Sequence, residues 1–253
     1  MTSIKEITAK LKEATTLEPW IEALAADERA GIQKALATFH NRLQKQQQQL
    51  DAHMEKVAFD ESYLHGGAYV AGVDEAGRGP LAGPVVTAAA ILPLHCDALM
   101  GINDSKQLSK EKRAAYAAII KEHAICYSVH FQSVEAIDTL NIYEATRQSM
   151  KAAVETLDVQ PDAVLADAMT LDIPHRQANI IKGDALSLSI AAASILAKTA
   201  RDDYMDALHE QFPQYGFCNH AGYGTKEHLA AIDAHGITIH HRRSFEPIKS
   251  LVK

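Results

Sequence analysis

The stretch "YVAGVDEAGRGPLAGPVVTAAAIL", residues 69–92, decides the fold. Tyr69 to Val73 reads as a strand that Asp74 and Glu75 close. Pro84 to Leu92 reads as a second strand, apolar throughout and therefore buried on both faces. Between them lie Gly77, Arg78 and Gly79. Like charges repel, and a buried charge without a partner is costly. Two neighbouring carboxylates where a core begins therefore call for a cation.

Working outward, the chain reads as an α/β domain with a central mixed sheet flanked by helices. Ser109 caps a helix to about His123, and residues 125–131 alternate as a third strand. Ser133 and Asn141 cap a short helix and a longer one that ends near Leu157. Residues 163–167 form a fourth strand and 177–184 a fifth. A long helix follows from about Ser187 to Gln211, and Thr225 caps another that ends before Gly236. Residues 1–65 differ: they carry no strand signal, and Leu36, Phe39, Leu43, Leu50, Met54 and Val57 recur at helical spacings. Asp27 is the expected N-cap of that long helix. A shorter helix around Ile4 to Leu11 packs on it, with Trp20 as an anchor. "HGG" (65–67) marks a hinge. The expected division is a helical N-terminal extension, 1–65, and a catalytic domain, 66–253, with a helical C-terminal part.

Composition narrows the class. No apolar run approaches the ~20 residues of a membrane span, and the first residues lack the apolar stretch of a secretory signal. Cys96, Cys126 and Cys218 are odd in number and share no metal-like spacing, which indicates reduced thiols and a cytoplasmic protein. A net charge of −7 weighs against a broadly basic nucleic-acid binder but leaves room for a local basic face, and His240 to Arg243 form the one obvious basic patch. Gly77, Gly79 and Gly83 miss the dinucleotide spacing by one residue, and the preceding acids would repel a pyrophosphate.

Asp74 and Glu75, Asp167 and Asp184 each close a strand in this reading, and sites in open α/β sheets gather at such ends. Any one of these aspartates alone would read as a cap, a turn former or a surface charge. Several acids ending several apolar strands read as hard oxygen ligands for Mg²⁺ or Mn²⁺. Two such ions suit phosphodiester hydrolysis. A metal-dependent phosphatase would use the same acids.

The motifs continue along the chain: "GINDSKQLSKEKR" (101–113), "VLADAM" (164–169), "IIKGDALSLSIAAASILAKTARDDYM" (180–205) and "HAGYGTKEHLAAIDAHGITIHHRRSF" (220–245). Together with "GVDEAGRGPLAGPVV" they resemble the type 2 ribonucleases H, specifically the bacterial ribonuclease HII family, over residues 68 to about 248. The resemblance implies an RNase H-like fold and metal-dependent cleavage of the RNA strand of RNA–DNA hybrids. It also implies cutting at single ribonucleotides in duplex DNA. Residue by residue, it implies Asp74, Glu75, Asp167 and Asp184 as catalytic acids holding two ions, Gly77, Arg78 and Gly79 as the substrate-reading element, and Tyr223 as the junction-sensing tyrosine. Ser105, Lys106 and Lys182 are further candidates for contact with the nucleic-acid backbone. Asp202, on the long helix, reads as a supporting residue rather than a ligand. A monomer is expected, and a catalytically inactive nucleic-acid-binding scaffold is the alternative. One departure stands out: the family commonly has glycine after the third acid, and this chain has Ala168.

Overall fold

The structure, a computed structural model, describes residues 2–102, 105 and 108–251. By its contacts the chain divides into two units, Met1–Met54 and Glu55–Lys253, a division that falls inside one helix.

In the first unit, α1 (Ile4–Glu13) starts with a reciprocal cap in which Ser3 and Glu6 satisfy each other's main-chain N–H groups. Helix α2 (Pro19–Ala23) follows, and α3 (Ala30–Glu61) runs on into the second unit. Ile7, Leu11, Ile21, Ile32, Leu36 and Phe39 are buried together, and Trp20 packs against them, as its anchor role requires. The Arg42 guanidinium donates to the carbonyls of Leu11 (2.9 Å), Lys12 (2.7 Å) and Ala14, groups that a helix end leaves unpaired. Asp27 does not cap α3. It lies three residues ahead of the helix and accepts from the Arg29 N–H at 3.1 Å and the Arg29 guanidinium at 2.6 Å.

In the second unit, β1 (Val70–Ala76), β2 (Val85–Ile91), β3 (Cys126–Gln132), β4 (Ala163–Asp167) and β5 (Arg176–Ile180) form one sheet in the order β3-β2-β1-β4-β5. β1 is antiparallel to β2 and parallel to β4; β3 is antiparallel to β2, and β5 is parallel to β4. The helices are α4 (Lys110–His123), α5 (Val134–Leu140), α6 (Ile142–Glu155), α7 (Gly183–Leu186), α8 (Leu188–Gln211), α9 (Phe217–His220), α10 (Lys226–His235) and α11 (Ile248–Leu251). The expected caps Ser109, Ser133, Asn141 and Thr225 each accept a main-chain N–H at the start of their helices, and Ser187 does the same for α8.

The sheet is a middle layer. Every residue of β2 is buried. Alternate residues go to opposite faces: Ala88 and Ala90 pack with α4 and α8, while Ala89 and Ile91 pack with Met150, Ala153 and Val154 of α6. Gly72 sets how close α8 comes, because a Cβ there would lie 2.1 Å from the Ile190 nitrogen. The last turns of α3 belong to this unit. Val57 is in the α8-side core, Lys56 Nζ donates to the Asp184 carbonyl at 2.9 Å, and Asp60 accepts from the Ser189 N–H at 2.8 Å.

Candidate active site

Register builds the centre of the site. Val73 is level with Ala166, so Asp74 and Asp167, the next residues of two parallel neighbours, lie side by side. Asp74 pairs with Ala88 and thus faces α8. Its carboxyl is pushed well above the ordinary aspartate range, first by burial and then by the charges of Glu75 and Asp167; a hydrogen bond from Ser194 on α8 offsets part of this. Glu75 pairs with Thr87, whose hydroxyl bonds to Ser149 of α6 at 2.8 Å, so the second acid leaves the opposite face of the strand end. Arg78 Nη1 is 3.4 Å from Glu75 Oε1.

Asp184 does not close a strand. β5 ends at Ile180, the chain turns through Lys182 in the left-handed region (φ 57°), and Asp184 falls in the first turn of α7. The tie to the other acids is main chain: the Gly183 N–H donates to Asp167 Oδ1 at 2.7 Å. Lys182 itself is exposed, two residues from Asp184. Ala168 has φ 48°, so alanine occupies a backbone shape that favours glycine.

The glycine–arginine–glycine turn leaves β1 directly. Gly77 has φ 92°, and a Cβ there would lie 1.9 Å from Arg201 Nε. Tyr223 comes to the same place: its ring edge is 3.5 Å from where a Cβ on Gly79 would stand, and the Leu81 N–H donates to the Gly222 carbonyl at 2.8 Å. The ring is about half exposed. Ser105 is buried, and its hydroxyl turns inward to Ser194 at 3.0 Å, the same serine that bonds Asp74. Lys106 lies outside the described residues. Asp202 is paired with Arg113 at 3.0 Å and with Lys198.

Sequence reading misplaces the basic patch. His241 and Arg242 are buried, His240 is half-buried, and only Arg243 of the four is exposed. Arg242 donates to the carbonyls of Gly77 (2.6 Å), Arg78 (2.9 Å) and Gly83 (2.8 and 3.0 Å). Burial pushes its guanidinium down to about 9. Arg201, also buried, donates to the carbonyls of Pro84, Ala82 and Ala221. Two cations thus hold the Gly77–Gly79 turn and the Tyr223 turn from beneath. The one signal in sequence was Arg201 on a helix rich in small and apolar residues.

A hard divalent ion fits these donors. The acids offer oxygen only, and the raised Asp74 carboxyl marks a place short of positive charge. Among the described residues no three His, Cys, Asp or Glu side chains form a ready cage. Mg²⁺ requires no cage, since it takes one or two carboxylates with waters and substrate phosphates.

A mixed five-stranded sheet with acids level on adjacent parallel strands and a glycine-rich turn beside them defines an RNase H-like hydrolase. Residues 71–248 match the family model for ribonuclease HII, and residues 3–64 match that for the ribonuclease HII N-terminal domain. A ribonuclease HII of Halalkalibacterium halodurans is 50% identical over 250 residues, covering 98% of this chain and 95% of that protein. One from Enterococcus faecalis is 47% identical over 253 residues, covering 99% and 97%. Among solved structures, ribonuclease H2 from Pyrococcus horikoshii superposes with a TM-score of 0.64 at 25% identity, covering 72% of this chain and 96% of that one. The PCNA:RNase HII complex from Archaeoglobus fulgidus gives 0.60 at 26% identity, covering 70% and 95%. The chain belongs to the ribonuclease HII family. It is a nuclease of the ribonuclease H class, acting on RNA-containing nucleic acid.

Proposed function

We propose that this enzyme hydrolyses the RNA strand of RNA–DNA hybrids and cuts on the 5′ side of a single ribonucleotide in duplex DNA, leaving a 3′-hydroxyl and a 5′-phosphate. The observation that carries this reading is the adjacency of Asp74 and Asp167 to a turn, Gly77 to Gly79, that Tyr223 closes from the other side.

Asp74, Glu75, Asp167 and Asp184 are the residues that would hold two Mg²⁺ or Mn²⁺ ions. Such ions, when bound, generate a nucleophilic water at neutral pH and stabilise charge on the leaving oxygen. The chain's own residues do the selecting. Gly77 and Gly79 have no Cβ, so main-chain groups there can meet a 2′-hydroxyl, which both donates and accepts. Arg78 holds a phosphate beside the cut, and Lys182 screens the approaching strand near Asp184. Tyr223 places its exposed ring on the neighbouring sugar, where a deoxyribose leaves room.

A duplex with one ribonucleotide, the same duplex with that 2′-hydroxyl replaced by hydrogen, and an RNA–DNA hybrid test this with Mg²⁺ or Mn²⁺ present. Cleavage of the first and third only is expected. Equal cleavage of all-DNA duplex overturns the substrate reading, and tight binding of all three without cleavage marks a scaffold.

A further inference from the structure

Three buried histidines lie against the Tyr223 turn: His220 at the end of α9, His228 in the first turn of α10, and His241, which bridges to Ala82. His220 and His228 stack with centroids 4.7 Å apart. Their hydrogen bonds fix where every proton sits, because a main-chain N–H can only donate and a carbonyl can only accept.

The Thr238 N–H donates to His241 Nδ1 at 2.9 Å, so neutral His241 carries its proton on Nε2. That nitrogen is 3.1 Å from His228 Nε2. His228 Nδ1 lies 2.9 Å from the Tyr223 carbonyl and must donate to it, which leaves Nε2 free to accept from His241. The Gly222 N–H donates to His220 Nδ1 at 3.2 Å, and His220 Nε2 donates to the Tyr215 carbonyl at 2.9 Å. The result is a one-way chain of neutral rings running from Thr238 to the Tyr223 carbonyl. Burial keeps His228 and His241 below the ordinary histidine range, which agrees with neutral rings.

We propose that His228, with its proton order set by His241, is a positioning residue that fixes the Tyr223 main chain and so the ring presented to the sugar beside the cut. The inference rests on the reading of Tyr223 as the junction reader. A histidine that merely filled core volume would need neither a defined proton position nor a bond to that carbonyl. His228 touches no substrate; it acts through Tyr223.

Three variants and one spectrum test this. His228→Phe keeps a ring and removes both hydrogen bonds, and His228→Asn keeps a donor near the Nδ1 position. The expected result for His228→Phe is about a tenfold fall in kcat at a single ribonucleotide in duplex DNA. KM should change little, and hybrid cleavage should fall much less, since misplacing an orienting group by about 1 Å can cost up to about 100-fold. His228→Asn recovers most of the loss. In the wild-type protein at neutral pH, ¹⁵N shifts place the proton of His228 on Nδ1 and those of His220 and His241 on Nε2. Equal losses on both substrates, no recovery by the asparagine, or a His228 proton on Nε2 overturns the inference, and the last of these needs no variant to fold. Tyr223→Ala run in parallel separates the two readings. If it leaves junction cutting unchanged, the role of Tyr223 fails; if it slows junction cutting while His228→Phe does not, only the positioning role fails.

Discussion

Asp74 sits in a charge environment that opposes its own ionisation. With its folded pKa raised, the group destabilises the metal-free fold once pH exceeds the unfolded value, and the penalty disappears as pH falls. Asp74→Asn is therefore expected to raise the melting temperature of metal-free protein at pH 7 and to lower cleavage by about 10³-fold or more, as loss of direct charge stabilisation requires. Mn²⁺ should raise the wild-type melting temperature and leave the variant's almost unmoved; calorimetry with an activity assay checks all three. Ala168, at φ 48°, holds a left-handed shape that costs alanine about 1 kcal/mol. Ala168→Gly relieves that strain against a smaller loss of chain entropy, so a rise of about 1–3 °C with unchanged cleavage is expected. An unchanged or lower melting temperature would count against strain at this residue. Both sites were legible in the sequence, as an acid pair at a core strand and as alanine where the family has glycine. The buried arginines were not: charge normally marks a surface, and the carbonyls that satisfy Arg242 surround it only once the turn of residues 77–83 meets the distant segment that carries Arg242.

Elements were legible where side chain and backbone signal the same thing. Four caps foretold four helix starts, and the unbroken apolar run of β2 foretold a strand covered on both faces. Asp184 went astray because "QANIIKGD" favours a strand by composition, whereas Lys182 turns left-handed and starts α7. The contacts of the α3 tail were illegible for another reason. Helical periodicity continues through Val57 without a break, so nothing in the pattern tells that Lys56 and Asp60 reach the α7–α8 junction. Asp60→Ala leaves the buried Ser189 N–H without its acceptor, at a cost of about 1–3 kcal/mol. A fall of roughly 2–10 °C in melting temperature is expected. Cleavage should fall with it, since α7 carries Asp184; an unaltered protein on both measures would show that the junction holds itself.

For the whole molecule, the three-layer order followed from the strand and helix sequence, and the network of histidines did not, because no spacing in the chain announces it. His241 gives that network a pH signature. Its folded pKa is pushed down to about 4 from an ordinary 6.5. The folded state therefore refuses a proton that the unfolded chain accepts, and the stability this lends above pH 6.5 is lost as pH falls toward 4, by at most about 3 kcal/mol. Asp60 and Asp74, both raised, act in the opposite sense over acidic pH. The measurement is thus a difference: denaturant midpoints of wild type and His241→Gln between pH 7 and pH 4, with the variant expected to show the shallower acid loss. Parallel slopes would remove His241 from the account. Arg201 and Arg242 have a different consequence at this scale. Mobile salt ions screen charges that face solvent and reach buried ones far less. An acidic molecule of net charge −7 that must receive a polyanion carries, under its glycine-rich turn, two cations that the ionic strength of its surroundings screens far less than surface charge. A plot of log Kd against log salt for duplex binding should accordingly be shallow for the number of phosphates covered, leaving a share of the attraction in place at salt concentrations that strip surface contacts away.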